Sequence, residues 1–300
     1  MRKRIKLKLF NKDLEGVWFV LPALIYMLVM IGYPLVYNVL LSFKNLNVKT
    51  FKGDTSIFVG LDNYKSLFSD HVFIESLINT LQYTLLCLII QFTVGFLFAL
   101  FFSKKFPMSG PIRGLLLVAY MMPMSVTALL ARNMFSVGGI INNILLNLHV
   151  ILQPIEWLVS TKTSLWAVIL SNCWVGIPFN MLLLTTGLSN ISEDIYESAS
   201  IDGANVFQKF FYMTVPLLKS AILSVLMLGL IYTFKVFDLV YIMTNGGPVN
   251  STEMLATYSY RLSFTNFEFS MGSAGAVVLF LCLFLVGLGY LKLTMNEEAN

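Results

Sequence analysis

The sequence predicts an all-α membrane protein, with six transmembrane helices and a cytoplasmic helix-turn-helix loop between helices four and five. Three observations carry that prediction. Of the 300 residues, 57% are hydrophobic and only 12% charged, whereas a soluble domain carries about 25% charged residues. Long stretches without a single charge recur along the chain. Between the fourth and fifth of them lies a polar segment with helical periodicity on both sides of an Asp-Gly pair. With a mean hydropathy of +0.77, the composition excludes a water-soluble enzyme, a disordered tail and a disulfide-stapled secreted scaffold.

The elements follow in order. Residues 1–16 form a basic N-terminus, in which Arg2, Lys3, Arg4, Lys6, Lys8 and Lys12 supply six of the chain's 20 Lys and Arg. Such a cluster before an apolar run holds a membrane protein's start in the cytoplasm. The positive net charge has no basic stripe with interleaved aromatics to go with it, so nucleic acid is excluded as a partner. Crossing about 30 Å of hydrocarbon takes about 20 apolar residues as helix. The spans are expected at residues 17–43, 76–103, 112–135, 163–190, 215–244 and 269–291, with a cytoplasmic tail at 293–300. The first is too long for a signal peptide, has no small-residue cleavage site, and should persist as a helix. The uncharged stretch 133–155 is too polar for a seventh span. Its Ile140, Ile141, Ile144 and Leu145 repeat at helical spacing between asparagines, which predicts a helix lying in the interface or re-entering part-way. Lys104, Lys105 and Arg113 fall on the N-terminal side of the membrane, and six spans return the C-terminus to that side. Cys87, Cys173 and Cys282 sit singly in apolar stretches, without metal or redox spacing.

The loop 191–214 is the most informative stretch. Ile191, Ile195 and Ala199 recur every fourth residue and predict one apolar helix face. Asp202-Gly203 breaks the pattern, since glycine takes a left-handed backbone and aspartate can cap the helix that follows. Phe207, Phe210 and Phe211 then predict a second apolar face, and Pro216 suits the first turn of the fifth span. The bland reading is an amphipathic linker on the membrane. The sharper one is a docking element offering Glu193, Asp194, Glu197 and Asp202 with a small-residue surface to a cytoplasmic partner.

Glu197-Ser198-Ala199-x-x-Asp202-Gly203-Ala204, followed by Phe210 and Pro216-Leu217-Leu218, resembles the EAA loop of ABC-importer permeases, with Ser198 where that family usually has alanine. Gly60-Leu61-Asp62-Asn63-Tyr64, and Phe234-Lys235 through Asp238 to Thr244-Asn245-Gly246-Gly247-Pro248, resemble two signatures of the family's carbohydrate-uptake branch. The resemblance runs over roughly residues 10–292. It implies one of two homologous permease subunits in a type I importer. Two ATPase subunits would dock from inside, on a coupling loop whose contacts are Glu197, Ala199, Asp202, Gly203, Ala204, Phe207 and Phe210. An extracytoplasmic binding protein would deliver a sugar from outside. ATP and magnesium would sit on the partner ATPase and no cofactor on this chain, which has no Gly-x-x-x-x-Gly-Lys-[Ser/Thr] to cradle phosphates.

A solute path needs polar groups facing the bundle interior, and Asn172, Trp174, Asn180 and Tyr232 are the candidates, with Asn79, Gln82 and Gln91 beside them. The competing role for these amides is to join helices to one another. Lys235 and Asp238, three apart on a predicted helix, read as an ion pair steadying the outer end of helix five. They also support the alternative function, an ion-coupled secondary transporter, because ionisable residues inside spans are functional candidates. Their place near the outer boundary argues against that, since coupling-ion sites lie near the midplane. A membrane enzyme would need an acid–base or metal cluster, and His71 and His149 have none at ligand spacing. Nothing in the sequence names a catalytic, cofactor or metal residue.

Overall fold

The computed structural model describes residues 17–51, 57–104 and 106–298. The basic N-terminal cluster, Lys105 and the last two residues of the expected tail lie outside the described residues.

Four helices are long and apolar enough to cross a membrane, and two bent helix pairs bring the number to six if each pair is one span. Helix α1 is Val17–Ser42, followed by a two-residue ribbon pairing Lys44 with Phe58 and Asn45 with Ile57. Helix α2 is Asp62–Ser69 and α3 is His71–Phe102. Helices α4 (Ser109–Met121) and α5 (Met124–Met134) meet at 97°. Here the expectation of one straight helix over 112–135 is corrected. Pro123 lacks an N–H and crowds the residue before it, so Met122 turns extended at ψ 139° and the helix restarts in a new direction.

Helix α6 is Ile140–Asn147, inside the stretch expected to lie in the interface. Its Asn142 is buried, donates to the carbonyls of Val137 and Ile155, and accepts from the Ile155 amide and the Trp157 indole. Helix α7 is Ser164–Ser189 and α8 is Glu193–Ile201. Helix α9 (Val206–Leu217) meets α10 (Lys219–Phe234) at 67°. The fifth span is therefore no single rod over 215–244. It bends at Leu218 and stops at Phe234, and a separate helix α11 begins at Asp238 and ends at Met243. Helix α12 is Leu255–Tyr260, and α13 runs from Phe269 through Glu298, past the residue where the last span was expected to end.

Helices α3 and α7 form the central pair. They approach closely because glycines line the seam. A Cβ on Gly95 would lie 2.6 Å from the Asn180 Cβ and 3.1 Å from the Ile177 carbonyl oxygen, and one on Gly176 would collide with Gln91. Around this pair, Tyr83, Cys87, Val168, Ile169, Leu239 and Val240 pack the middle of the bundle. Leu67, Phe73, Leu255 and Tyr258 pack one end, and Phe96, Leu184, Leu218 and Val225 pack the end nearest the 191–214 loop. Helix α1 packs its C-terminal half along α13, while the most apolar window of its length buries none of its residues within this chain.

Two of the sequence motifs hold this arrangement. Asn63 donates to the carbonyls of Ser42 and Lys44, and the Tyr64 hydroxyl shares a hydrogen bond with Ser42, so the Gly-Leu-Asp-Asn-Tyr segment clasps the end of α1. The Thr-Asn-Gly-Gly-Pro segment closes a tight loop through Thr252, which bonds Thr244 and the Gly247 carbonyl. Asn79 of α3 donates to the carbonyls of Asn250 and Glu253 and ties that loop to the bundle.

Candidate functional site

The loop between α7 and α10 is two helices joined by a left-handed turn. Ser192 caps α8 by accepting from the Asp194 amide, and Glu193 and Asp194 place negative charge at its positive end. The turn depends on Gly203, whose φ is +80°; with no Cβ it takes that conformation without strain. Its neighbour Ala204 donates back to the Ala199 carbonyl, and the Asp202 amide bonds to the Ser198 carbonyl. Asp202 thus closes the first helix. The cap of the second is Asn205, reciprocated by Gln208 in a full capping box, which corrects the expectation that Asp202 would cap it. An Asn-x-x-Gln spacing was the available signal.

Ala199 is 1% exposed, while Glu197 and Asp202 face solvent. The three phenylalanines do not share a face. A π-turn at Phe210–Thr214 widens the backbone after Lys209 and shifts the register. Phe210 turns inward onto Phe96, with ring centroids 5.6 Å apart, while Phe207 stays 76% exposed and Phe211 61%. The loop is pinned from beneath by a hydrogen bond between the hydroxyls of Tyr196 and Thr214, a contact without a sequence signature. Its tip carries Ile201, Val206 and Phe207, all exposed, beside Glu197 and Asp202. Apolar groups ringed by charge in this way mark a surface made to be covered.

The candidate path residues divide into two sets. Asn172 and Asn180 are buried in the α3–α7 seam, where the Asn172 carbonyl accepts from Gln91 and Asn180 donates to the Gly176 carbonyl one turn back. Trp174 and Tyr232 are exposed, and Tyr232 continues an aromatic line through Phe179 to Tyr120. Asn79 serves the far loop as described.

Lys235 and Asp238 do not form the expected pair. The helix ends between them, no ion pair within 4 Å joins them among the described residues, and Lys235 instead lies 5.4 Å from the centre of the Tyr232 ring. The buried ion pair of this region is Glu253 with Arg261, 2.9 Å apart, which the spacing of the sequence did not show. Burial pushes the Glu253 carboxyl above the ordinary range, against the opposing pull of Thr257 and Arg261. Among the described residues, no group of three or more His, Cys, Asp or Glu could hold a metal ion.

The architecture is thus a bundle of membrane-length helices and bent helix pairs with a partly apolar loop at one end. Residues 91–293 match the family described as binding-protein-dependent transport system inner membrane component, and the chain belongs to that family. It is 32% identical over 286 residues to the sulfoquinovosyl glycerol transport system permease protein SmoG of Agrobacterium fabrum, covering 95% of this chain and 92% of the relative. It is also 32% identical to the lactose transport system permease protein LacF of Rhizobium radiobacter, covering 95% of both chains. A solved bacterial ABC transporter for import of the acidic polysaccharide alginate shares the fold, with a TM-score of 0.80 at 21% identity over 96% of this chain and 98% of that one. The chain is thus a non-catalytic permease subunit of an ABC importer, and the ion-coupled alternative is set aside.

Proposed function

We propose that this chain forms half of the path by which a sugar or oligosaccharide, delivered by an extracytoplasmic binding protein, crosses the membrane. A homologous second permease supplies the other half, and two ATPase subunits holding ATP and magnesium drive the cycle from the cytoplasm. The relatives named for lactose and for sulfoquinovosyl glycerol support a glycoside as cargo, and the unburied apolar window of α1 offers a face for the second permease or for lipid. Trp174 and Tyr232 are the residues proposed to face the solute, because aromatic rings present the flat apolar surface that sugars stack on.

The observation that carries the reading is the loop tip. Glu197, Asp202 and Phe207 are held outward on a turn that Gly203 makes possible, while Ala204 closes that turn onto the Ala199 carbonyl and Phe210 seats the loop on the bundle. In this reading both termini lie in the cytoplasm with this loop. The test is to measure uptake and bound ATPase for Gly203→Val and Glu197→Lys, beside a control at exposed Lys65→Ala. An added Cβ at Gly203 meets nothing within 4 Å, so the damage comes from the backbone, at about 1 kcal/mol or more for a β-branched residue at positive φ. Expression should hold while ATPase capture falls, or hydrolysis should continue without uptake. Full uptake with a full complement of ATPase in both variants would make this loop a mere linker.

A further inference from the structure

A cavity of about 690 Å³ lies between the loop and the spans, walled by the end of α3, the start of α4, the end of α7 and both loop helices. Lys104, Arg113 and Lys209 line it, with Glu193 as the acid among them. Lys209 donates to the Ser200 hydroxyl. Neither Lys104 nor Arg113 has an ion-pair partner among the described residues. The rest of the wall includes Leu188 and Phe210, apolar groups from the bundle and the loop. Three cations against one carboxylate in a shared recess repel one another until an anion enters, and guanidinium and ammonium groups are suited to phosphate oxygens. An apolar wall at the end of a membrane-spanning helix suits the start of an acyl chain.

We propose that this cavity is a phosphate-anion site occupied by the headgroup of an anionic phospholipid of the inner leaflet. Because its walls come from α3, α4 and α7 on one side and α8 and α9 on the other, the bound headgroup braces the coupling loop against the spans. The consequence for transport rests on the coupling-loop reading. The binding does not, and it is read on the permease whether or not an ATPase docks.

The full chain is reconstituted in nanodiscs of phosphatidylcholine mixed with phosphatidylglycerol, extracted in mild detergent, and assayed by native mass spectrometry for retained phosphatidylglycerol. Lys104→Gln with Arg113→Gln should lower retention about thirtyfold, the order expected when two cations leave a membrane-surface site. Lys104→Arg with Arg113→Lys should keep it. Lys209→Gln is a second probe should the double variant elute as an aggregate, and it should lower retention in the same direction. Inorganic phosphate titrated onto lipid-free protein separates the sources. Phosphate binding that is lost in the Gln variants, with phosphatidylglycerol retention unchanged, would overturn the lipid in favour of a soluble phosphate compound. Retention and phosphate binding both unchanged in the Gln variants would overturn the site altogether.

Discussion

Glu253 is 1% exposed and paired to an arginine that is itself 36% exposed. Removing a charge's partner costs more than removing the charge, because the survivor stays buried without compensation. Arg261→Met should therefore destabilise the fold by about 2–3 kcal/mol, below the range for fully buried pairs because Arg261 is partly solvated. Glu253→Gln should cost less. The pH dependence follows from the same burial. The folded state holds the Glu253 proton more tightly than the unfolded chain does, so this group contributes most at low pH. Its contribution declines as pH rises from about 4 through the raised value. Thermal unfolding in detergent across that range should show a downward slope that Glu253→Gln flattens. An unchanged slope would remove Glu253 as its source.

At the scale of the element, the α3–α7 seam is set by side chains that are absent. Gly95→Val would push a branched side chain onto the backbone of α7, where the Ile177 carbonyl cannot move without moving the helix. The expected cost is about 1–3 kcal/mol, as for overpacking in a filled core, seen as a lower melting temperature and yield. Gly114→Ala on α4, where an added Cβ meets nothing within 4 Å, should leave both unchanged. Equal losses in the two would mean that glycine content, not close approach, governs the seam. The breaks at Met122-Pro123 and at Leu218 belong to the same scale. They turn two apolar stretches into angled pairs, and backbone that leaves the helix within a membrane must be covered by protein or line a water-filled cavity.

At the scale of the whole molecule, the proposed orientation makes a sharp prediction. In a chain with Cys87, Cys173 and Cys282 replaced, a cysteine at position 202 should react with an impermeant reagent only after the membrane is opened. A cysteine at position 249 should react in intact cells. Labelling of position 202 from outside would invert the molecule and remove the loop from any cytoplasmic ATPase. The exposure of α1 belongs here as well. A helix this apolar that buries so little against its own chain is fully accounted for only with lipid or a second permease around it.

What the sequence determined by itself was everything that rests on local composition and spacing. Apolar length placed the four membrane-length helices and the two bent pairs, because the thickness of hydrocarbon sets how many residues must be uncharged. Asp202-Gly203 marked a turn, because few residues other than glycine take positive φ without strain. The EAA-like run marked the loop that carries the family likeness. Tertiary structure decided what depends on partners far apart in the chain. It buried Asn172 and Asn180 beside the α3–α7 seam, which Gln91 bridges, and left Trp174 and Tyr232 exposed. It turned Phe210 inward and left Phe207 out, because a π-turn after Lys209 shifted the register that a regular period assumes. It also separated Lys235 from Asp238 and joined Glu253 to Arg261 instead. A three-residue spacing places two charges on one face only while the helix continues, and this helix ends at Phe234.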